Sequence, residues 1–493
     1  MSNFVPSAAA PLDVSDPALI RRVAEQMASM GFVEDMRIAD GETQPDSAAA
    51  CLARCFAFDA PTPESTLRER LGNELVDTCF RLGLLLRRGS LAAGAVCFVP
   101  AGDATVFFDH PHPDTEQGMR HFVMGPGGTT QKLIGSVPKR RRKRVLDLCS
   151  GSGAAAFSAA LYSDEAVAAD YNERALNLAR FGVAWNGLQH VGVRFTDRFS
   201  GVADETFDLI VCNPPFVVNP ANASMFLSAG MGGDLFSEHI VRGMAAHLCE
   251  GGFANLLCDV VATARQSSPE RLVEWLAANG CDAMLFPSPP KGPREYAESW
   301  MPPSPERDAD GFRDERARWI RYYDESGFLS FQRFLVILRK RTPFDTDPPN
   351  WTRMIDMPNV QQYYGHHILR LFANEDLLRA GEPALLAARL KLAPDSRLGV
   401  QFFPNETRWL PESSSLRLTG GLDHEAQVAN VLGLAASRLD GSITVDEFVS
   451  SFASQAGGED ARSIQRAILD ALSQLLSLGF LAPVEFFSTE GAQ

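Results

Sequence analysis

The chain has 493 residues, 45% hydrophobic and 22% charged, the composition of an ordinary globular protein with room for two to four domains. Its formal net charge of -15 opposes strong nonspecific binding to nucleic acid, which rests on phosphate neutralisation. No apolar run reaches the ~18 residues of a membrane span. The first residues lack the basic-then-apolar pattern of a secretion signal, and nine scattered cysteines include no Cys-x-x-Cys, so a reducing cytoplasm is expected.

Residues 1–114 read as a helical cap with a hairpin. Pro17–Met27 is amphipathic at helical spacing, and Glu64–Leu71 and Leu75–Leu85 follow. Leu91–Pro100 and Ala104–Asp109 flank Gly102-Asp103 as a hairpin, giving a winged-helix-like order. Cys51 and Cys55, at helical spacing among alanines, read as core. His110 and His112 have no nearby cysteine in sequence, and no metal is expected.

An α/β core follows over 115–342. His121–Leu133 holds the tight Gly127-Gly128 turn, with Thr129 as a helix cap. Lys139–Arg144, six basic residues, reads as a solvated lead-in to the first strand; the alternative is a docking patch for an acidic partner or phosphate. Val145-Leu146 is strand, Gly151-Ser152-Gly153 a turn, and Ala154 opens a helix, so backbone can approach a ligand at a helix N-terminus. The pattern also suits a dinucleotide, with Ala156 at its last small position. Ala166–Asp170 is the second strand. Asp170 lies 19 residues after Gly151, a spacing that lets a carboxylate accept ribose hydroxyls. Asn172 caps the next helix, Val191–Phe195 is the third strand, and Asp197 follows in a loop.

The fourth strand, Phe207–Val211, runs into Cys212-Asn213-Pro214-Pro215-Phe216-Val217. Proline donates no ladder hydrogen bond, so the pair ends the strand and leaves Asn213 and the Pro214 carbonyl at its carboxyl end. The chemistry fits those residue types. An amide or exocyclic amino nitrogen is a poor nucleophile because its lone pair is delocalised. Two fixed carbonyl acceptors can take its N–H groups and aim the lone pair at an electrophile. Phe216 can stack on a planar substrate; the bland alternative for the whole motif is a strand-ending turn.

Asn-Pro-Pro-Phe in this context resembles motif IV of class I methyltransferases that act on amide or amino nitrogens, the group holding the glutamine-N5 and adenine-N6 (HemK-like) enzymes. Asp147 to Gly153 resembles their motif I, with Cys149-Ser150 in place of the more usual Gly-Thr. The resemblance covers roughly residues 125–260. It implies a doubly wound Rossmann-like fold and S-adenosyl-L-methionine as cofactor. It places Asp147, Gly151 and Gly153 at the methionine part, Asp170 at the ribose and Asp197 at the adenine, with Cys149, Tyr171 and Asn213 also among the cofactor-binding residues. Thr129 and Thr130 would pack across the cofactor, with a linker and cap as the alternative. Asn213, Pro214, Pro215 and Phe216 would form the catalytic motif.

The glycine-rich stretch 221–235 reads as a mobile substrate loop. Gly252–Asp259 is strand five, 268–279 a helix, and Phe331–Arg339 closes the sheet. An insertion, 288–327, carries six prolines with Tyr296, Trp300, Trp319, Tyr322 and Tyr323. It reads as an aromatic lid over a flat or cationic substrate, or as rings packing the insertion onto the core. Residues 343–359 read as a linker and 360–493 as an accessory α+β domain, with helical or winged-helix pieces at Glu425–Leu434 and Ile464–Leu476. Asp440–Phe448 lacks the ligand spacing of a calcium loop.

The expected function is methyl transfer to a nitrogen of a protein, peptide or small metabolite. Alternatives are a nucleobase acceptor, another heteroatom of a metabolite, or a cofactor-binding regulator without turnover; an NAD(P) oxidoreductase stands further off. Nucleic acid is disfavoured by charge, no membrane partner is expected, and the oligomeric state is open.

Overall fold

The computed structural model describes residues 10–31, 47–58, 60–110, 121–220, 231–277, 279–301, 309–341, 350–356, 363–428, 438–453 and 459–490. The chain forms two compact units, one of residues 1–133, 142–344 and 350–355, the other of 134–141, 345–349 and 356–493.

Runs of Val, Leu, Ile and Ala with few polar breaks favour strands buried on both faces. Eight build the central sheet of the first unit: β1 (Arg142–Leu148), β2 (Ser163–Asp170), β3 (Val191–Phe195), β4 (Phe207–Cys212), β5 (Leu248–Ala262), β6 (Cys281–Pro287), β7 (Ser330–Lys340) and β8 (Thr352–Met354). Their order is β8-β6-β7-β5-β4-β1-β2-β3. β1 pairs in parallel with β2 and β4, with Leu148 opposite Cys212, while β7 runs antiparallel to both neighbours. This is the doubly wound α/β arrangement. The order reverses at β1 and β4, where such sheets open a crevice beyond the strands' carboxyl ends.

Helices α1 (Ala154–Ala160), α2 (Glu173–Asn186), α3 (Leu235–Met244) and α4 (Ser268–Leu276) accompany the sheet. The inner positions of β1, β4 and β5, among them Leu146, Ile210, Leu256 and Cys258, are fully buried in one apolar cluster. Each large apolar side chain there contributes roughly 1.5–3 kcal/mol.

Two strands escaped the sequence reading. Cys281–Pro287 falls between the expected helix 268–279 and the insertion, and Thr352–Met354 lies in the segment expected to be a linker. Trp351 and Ile355 beside it are buried, so the core continues past residue 343. Buried Asp282 explains the misreading: it breaks the apolar run of β6, yet accepts from Arg339 Nη2 at 2.6 Å and from Trp351 N at 3.3 Å.

The N-terminal part has the order helix (Ala48–Phe56), short strand (Thr62-Pro63), helices (Glu64–Leu71, Asn73–Arg81) and two strands (Leu85–Arg88, Leu91–Gly94). The last strand sits between the other two, a winged-helix-like layout. The expected hairpin is therefore divided. Leu91–Gly94 belongs to this sheet, and Cys97–Ala101 pairs instead with Ala104–Phe108. Phe98, Phe107, Phe181 and Trp185 form an aromatic cluster that ties the hairpin to α2, with centroid distances of 4.8 to 6.1 Å. Here too His110 meets a cysteine through the fold, its Nδ1 lying 2.9 Å from Cys97 Sγ, whereas the sequence put none near it. His112 lies outside the described residues.

The basic run is used locally. Arg142 is buried, Arg144 pairs with Glu165 and Glu205, and Lys139 sits 3.8 Å from the ring centroid of Tyr363.

In the second unit a helix (Gly365–Arg379) packs with the long helix Glu459–Ser477 over an apolar cluster that includes Leu390, Phe448, Leu472 and Phe480. Asn374 Nδ2 donates to Leu476 O and Leu481 O at 2.8 and 2.7 Å. Buried His367 bridges Leu478 O and Leu422 N. Glu425–Val428, expected to be helical, is a strand paired with Arg408–Leu418; its alternating exposure is that of an edge strand. The helical expectation for Ile464–Leu476 holds. Asp440 and Thr444 close a turn and a reciprocal cap before the helix Val445–Ala453: Glu447 N donates to Thr444 Oγ1, and Thr444 N to Glu447 Oε2.

Candidate functional site

The turn after β1 requires unusual backbone. Cys149, Gly151 and Gly153 have φ of 57°, 52° and 91°. A Cβ at Gly151 would meet nothing within 4 Å, so this edge of the turn is open to a ligand. Asp147 stands beneath it, almost wholly buried, and its Oδ2 accepts from Ala156 N at 2.8 Å, fixing the start of α1. Burial pushes its carboxyl up to about 7, and nearby Asp170 adds to the rise, against the backbone N–H bonds that lower it. Asp170, at the end of β2, accepts from Gly151 N at 2.7 Å through one oxygen and from Asn172 N at 2.8 Å through the other. Burial raises its carboxyl as well. Two acids poised at one crevice favour a ligand that brings positive charge or hydroxyl donors.

At the end of β4 the side chain of Asn213 is anchored on one side only. Its Nδ2 donates to Thr130 Oγ1 at 3.1 Å, while its Oδ1 is buried with no hydrogen-bond partner. A buried carbonyl without a donor costs about 1–3 kcal/mol, so it awaits one. Asn213 and the acids line one cavity of ≈ 830 Å³ together with Thr129, Thr130, Cys149, Gly151, Tyr171, Asp197, Pro214, Pro215 and Phe216. Of the expected site residues Gly153 alone is absent from that lining, and its φ serves the turn instead.

Several details depart from expectation. The helix near Thr129 runs Gly128–Ser136, so Thr129 lies within its first turn and is not its cap. Asp197 is exposed, and both its oxygens accept from Arg198, at 3.0 and 3.3 Å. Arg198 also lines the cavity and holds a φ of 54°; nothing in the sequence marked it. Tyr171 is half exposed, its ring 5.4 Å from that of Phe195.

Phe216 is not free to stack on a substrate. It is 7% exposed, and the guanidinium of Arg333 lies 4.5 Å from its ring centroid. Arg333 in turn grips buried Asp259 through two bonds of 2.7 and 3.0 Å. Tyr296 OH donates to the same carboxylate at 2.7 Å and accepts from Val218 N at 3.1 Å. Tyr323 OH donates to Val218 O at 2.8 Å, and Gly233 N donates to Tyr322 OH at 2.9 Å. The aromatic residues of the insertion thus chiefly pack it onto the core and clamp the chain beyond Phe216. Trp300 is the exception and lines the cavity. Residues 221–230 of the expected substrate loop lie outside the described residues. Among the described residues no group of three or more His, Cys, Asp or Glu is placed to hold a metal ion, and no helix is long and apolar enough to cross a membrane.

Comparison with known proteins agrees with this geometry. Residues 127–231 match the methyltransferase small domain family. The ribosomal protein uL3 glutamine methyltransferase of Bradyrhizobium diazoefficiens is 30% identical over 160 residues, 29% of this chain and 50% of that protein. The corresponding protein of Xanthomonas campestris is 33% identical over 133 residues, 24% of this chain and 42% of its own. The release factor glutamine methyltransferase of Xylella fastidiosa is 32% identical over 145 residues, 26% of this chain and 52% of its own. The chain thus spans about half the length of the curated relatives it matches. The matched segment is thus similar to the methyltransferase small domain, and it is the part of the core that carries the Gly151 turn and Asn213.

Proposed function

We propose that this protein transfers a methyl group from S-adenosylmethionine to the carboxamide nitrogen of a side chain, a glutamine on a protein or peptide being the simplest acceptor. The observation that carries this reading is Asn213, which lines the same cavity as the Gly151 turn and whose Oδ1 is buried without a hydrogen-bond partner.

The cofactor, when bound, supplies an electrophilic methyl group on a sulfonium. The residues fit it: the open Gly151 edge admits close approach, Asp147 and Asp170 favour a ligand with a cationic end and ribose hydroxyls, and the cavity has the volume of a small-molecule site. Asn213 Oδ1 accepts one N–H of the acceptor, and the Pro214 carbonyl takes the other. Both acceptors are fixed before the acceptor arrives, so the nitrogen is oriented without reorganising the site. The proton displaced from nitrogen leaves to solvent after transfer.

A nucleobase is disfavoured by Phe216, whose ring Arg333 already covers. The regulator reading loses support because the helix Asn73–Arg81 carries Glu74 and Asp77 against a single basic residue, Arg81.

The test is calorimetric titration with S-adenosylmethionine and, separately, NAD, followed by tritiated methyl transfer to glutamine-containing peptides. Binding of the first ligand alone with label on the carboxamide is expected. Binding of NAD alone would overturn the reading.

A further inference from the structure

Resting on the reading above, the acceptor end of the cavity can be taken further. Its walls are Pro214, Pro215, Phe216, Val217, Met231, Phe236 and Trp300. Six come from the core; among the described residues Trp300 alone comes from the insertion. It follows directly on the helix Pro293–Ser299, and its backbone N–H caps that helix on Ala297 O at 3.1 Å. The ring is partly exposed, unlike the buried Tyr296 and Tyr323 of the same insertion. Its surroundings hold it in place. Phe216 meets it edge-on at 6.0 Å, Tyr296 at 6.4 Å, and the Arg333 guanidinium lies 5.1 Å from its centroid. Arg333 is itself locked by Asp259.

Two consequences follow. The indole is an apolar wall beside the Asn213 motif, made by a segment that contributes no other lining residue among the described residues. An aromatic ring attracts cations to its face, but here Arg333 already supplies a cation to both Trp300 and Phe216. Asp259 neutralises that guanidinium, so what Arg333 denies a second cation is the ring faces it already occupies.

We propose that Trp300 is the acceptor-selecting residue of this site: the indole packs against the alkyl stem and amide plane of a neutral side-chain carboxamide, and Arg333 behind it discriminates against an ammonium of similar length. The insertion then sets acceptor choice, whereas the cofactor half of the cavity is built without it.

The experiment uses full-length protein saturated with S-adenosylhomocysteine. Two probes, N-acetylglutamine methylamide and N-acetyllysine methylamide, are titrated by ligand-observed NMR into wild type, Trp300→Ala and Trp300→Phe. Wild type should bind the amide at least about tenfold more tightly than the amine. Trp300→Ala should lose about tenfold in amide affinity, with S-adenosylhomocysteine affinity within about twofold of wild type, and Trp300→Phe should recover most of the loss. Equal amide affinity in wild type and Trp300→Ala would overturn the proposal while leaving the proposed reaction standing. Equal binding of amine and amide by wild type would overturn the role given to Arg333. Absence of amide binding by wild type that binds S-adenosylhomocysteine would overturn the carboxamide reading and this proposal with it.

Discussion

Thr130 Oγ1 accepts a 3.1 Å hydrogen bond from Asn213 Nδ2, across 83 residues of sequence. The bond fixes the amide's orientation and leaves the buried Oδ1 without a partner. Thr130 is therefore a positioning residue. Thr130→Val should lower the rate of methyl transfer about ten- to a hundredfold with cofactor affinity unchanged, and Thr130→Ser should restore it. Single-turnover rates beside calorimetric titration check this; a Thr130→Val protein with wild-type turnover would refute it.

Asp147 gives a pH dependence with a definite sign. Its carboxyl is raised from the ordinary 3.8 to about 7, so the folded, ligand-free protein holds a proton there that the unfolded chain releases. Its contribution to stability is greatest below about pH 4 and is lost as pH rises toward 7, a penalty of roughly 4 kcal/mol at 1.36 kcal/mol per pH unit. A cationic ligand favours the ionised form. Cofactor affinity should rise between pH 6 and pH 8, and binding at pH 7 should release protons, seen as a heat that varies with buffer ionisation enthalpy. Asp147→Asn should raise the melting temperature more at pH 8 than at pH 5 and abolish that release.

Asp259 anchors Arg333 and Tyr296 together. Asp259→Ala leaves a half-buried guanidinium and a buried phenol without their partner, and should destabilise the first unit by about 3–5 kcal/mol in denaturant unfolding. Replacing Asp259 and Arg333 together with leucine and methionine should cost less than the single change.

His367 makes the second unit acid-sensitive. Burial holds its imidazole well below the ordinary 6.5, with the charge of Arg370 and nearby His424 acting the same way. The unfolded chain therefore binds a proton that the folded one excludes, and stability present above pH 6.5 is lost as pH falls. Hydrogen exchange of the helix Gly365–Arg379 should accelerate between pH 7 and pH 5.5 beyond what intrinsic chemistry dictates. Its absence would mean that His367 is protonated without cost.

How much of this was legible in the sequence depended on whether the cause was local. Pro214-Pro215 ends β4 by a rule any one strand obeys, so Asn213 was found at once. The turn at Gly151 and the acid at Asp170 were equally local. Thr130 was named for the cofactor, and its bond to Asn213 was invisible because only the fold joins them. β6 was hidden by Asp282, whose charge is satisfied by Arg339 on β7 and by the backbone of Trp351. Pro and Asp made 343–359 read as a linker, although Trp351 carries β8 into the sheet. The insertion's rings were legible as a cluster, but their distant partners were not: Asp259 and Val218 decide that Tyr296 and Tyr323 clamp the chain beyond Phe216, while Trp300 reaches the cavity.

The central claim is that Asn213 Oδ1 receives the N–H of the methyl-accepting nitrogen. The most direct measurement is single-turnover methyl transfer to a glutamine peptide by wild type and Asn213→Ala, both saturated with S-adenosylmethionine. A loss of about 10²–10³ in rate, with cofactor affinity within about twofold of wild type, is the predicted result. Wild-type turnover by Asn213→Ala with cofactor bound normally would contradict it.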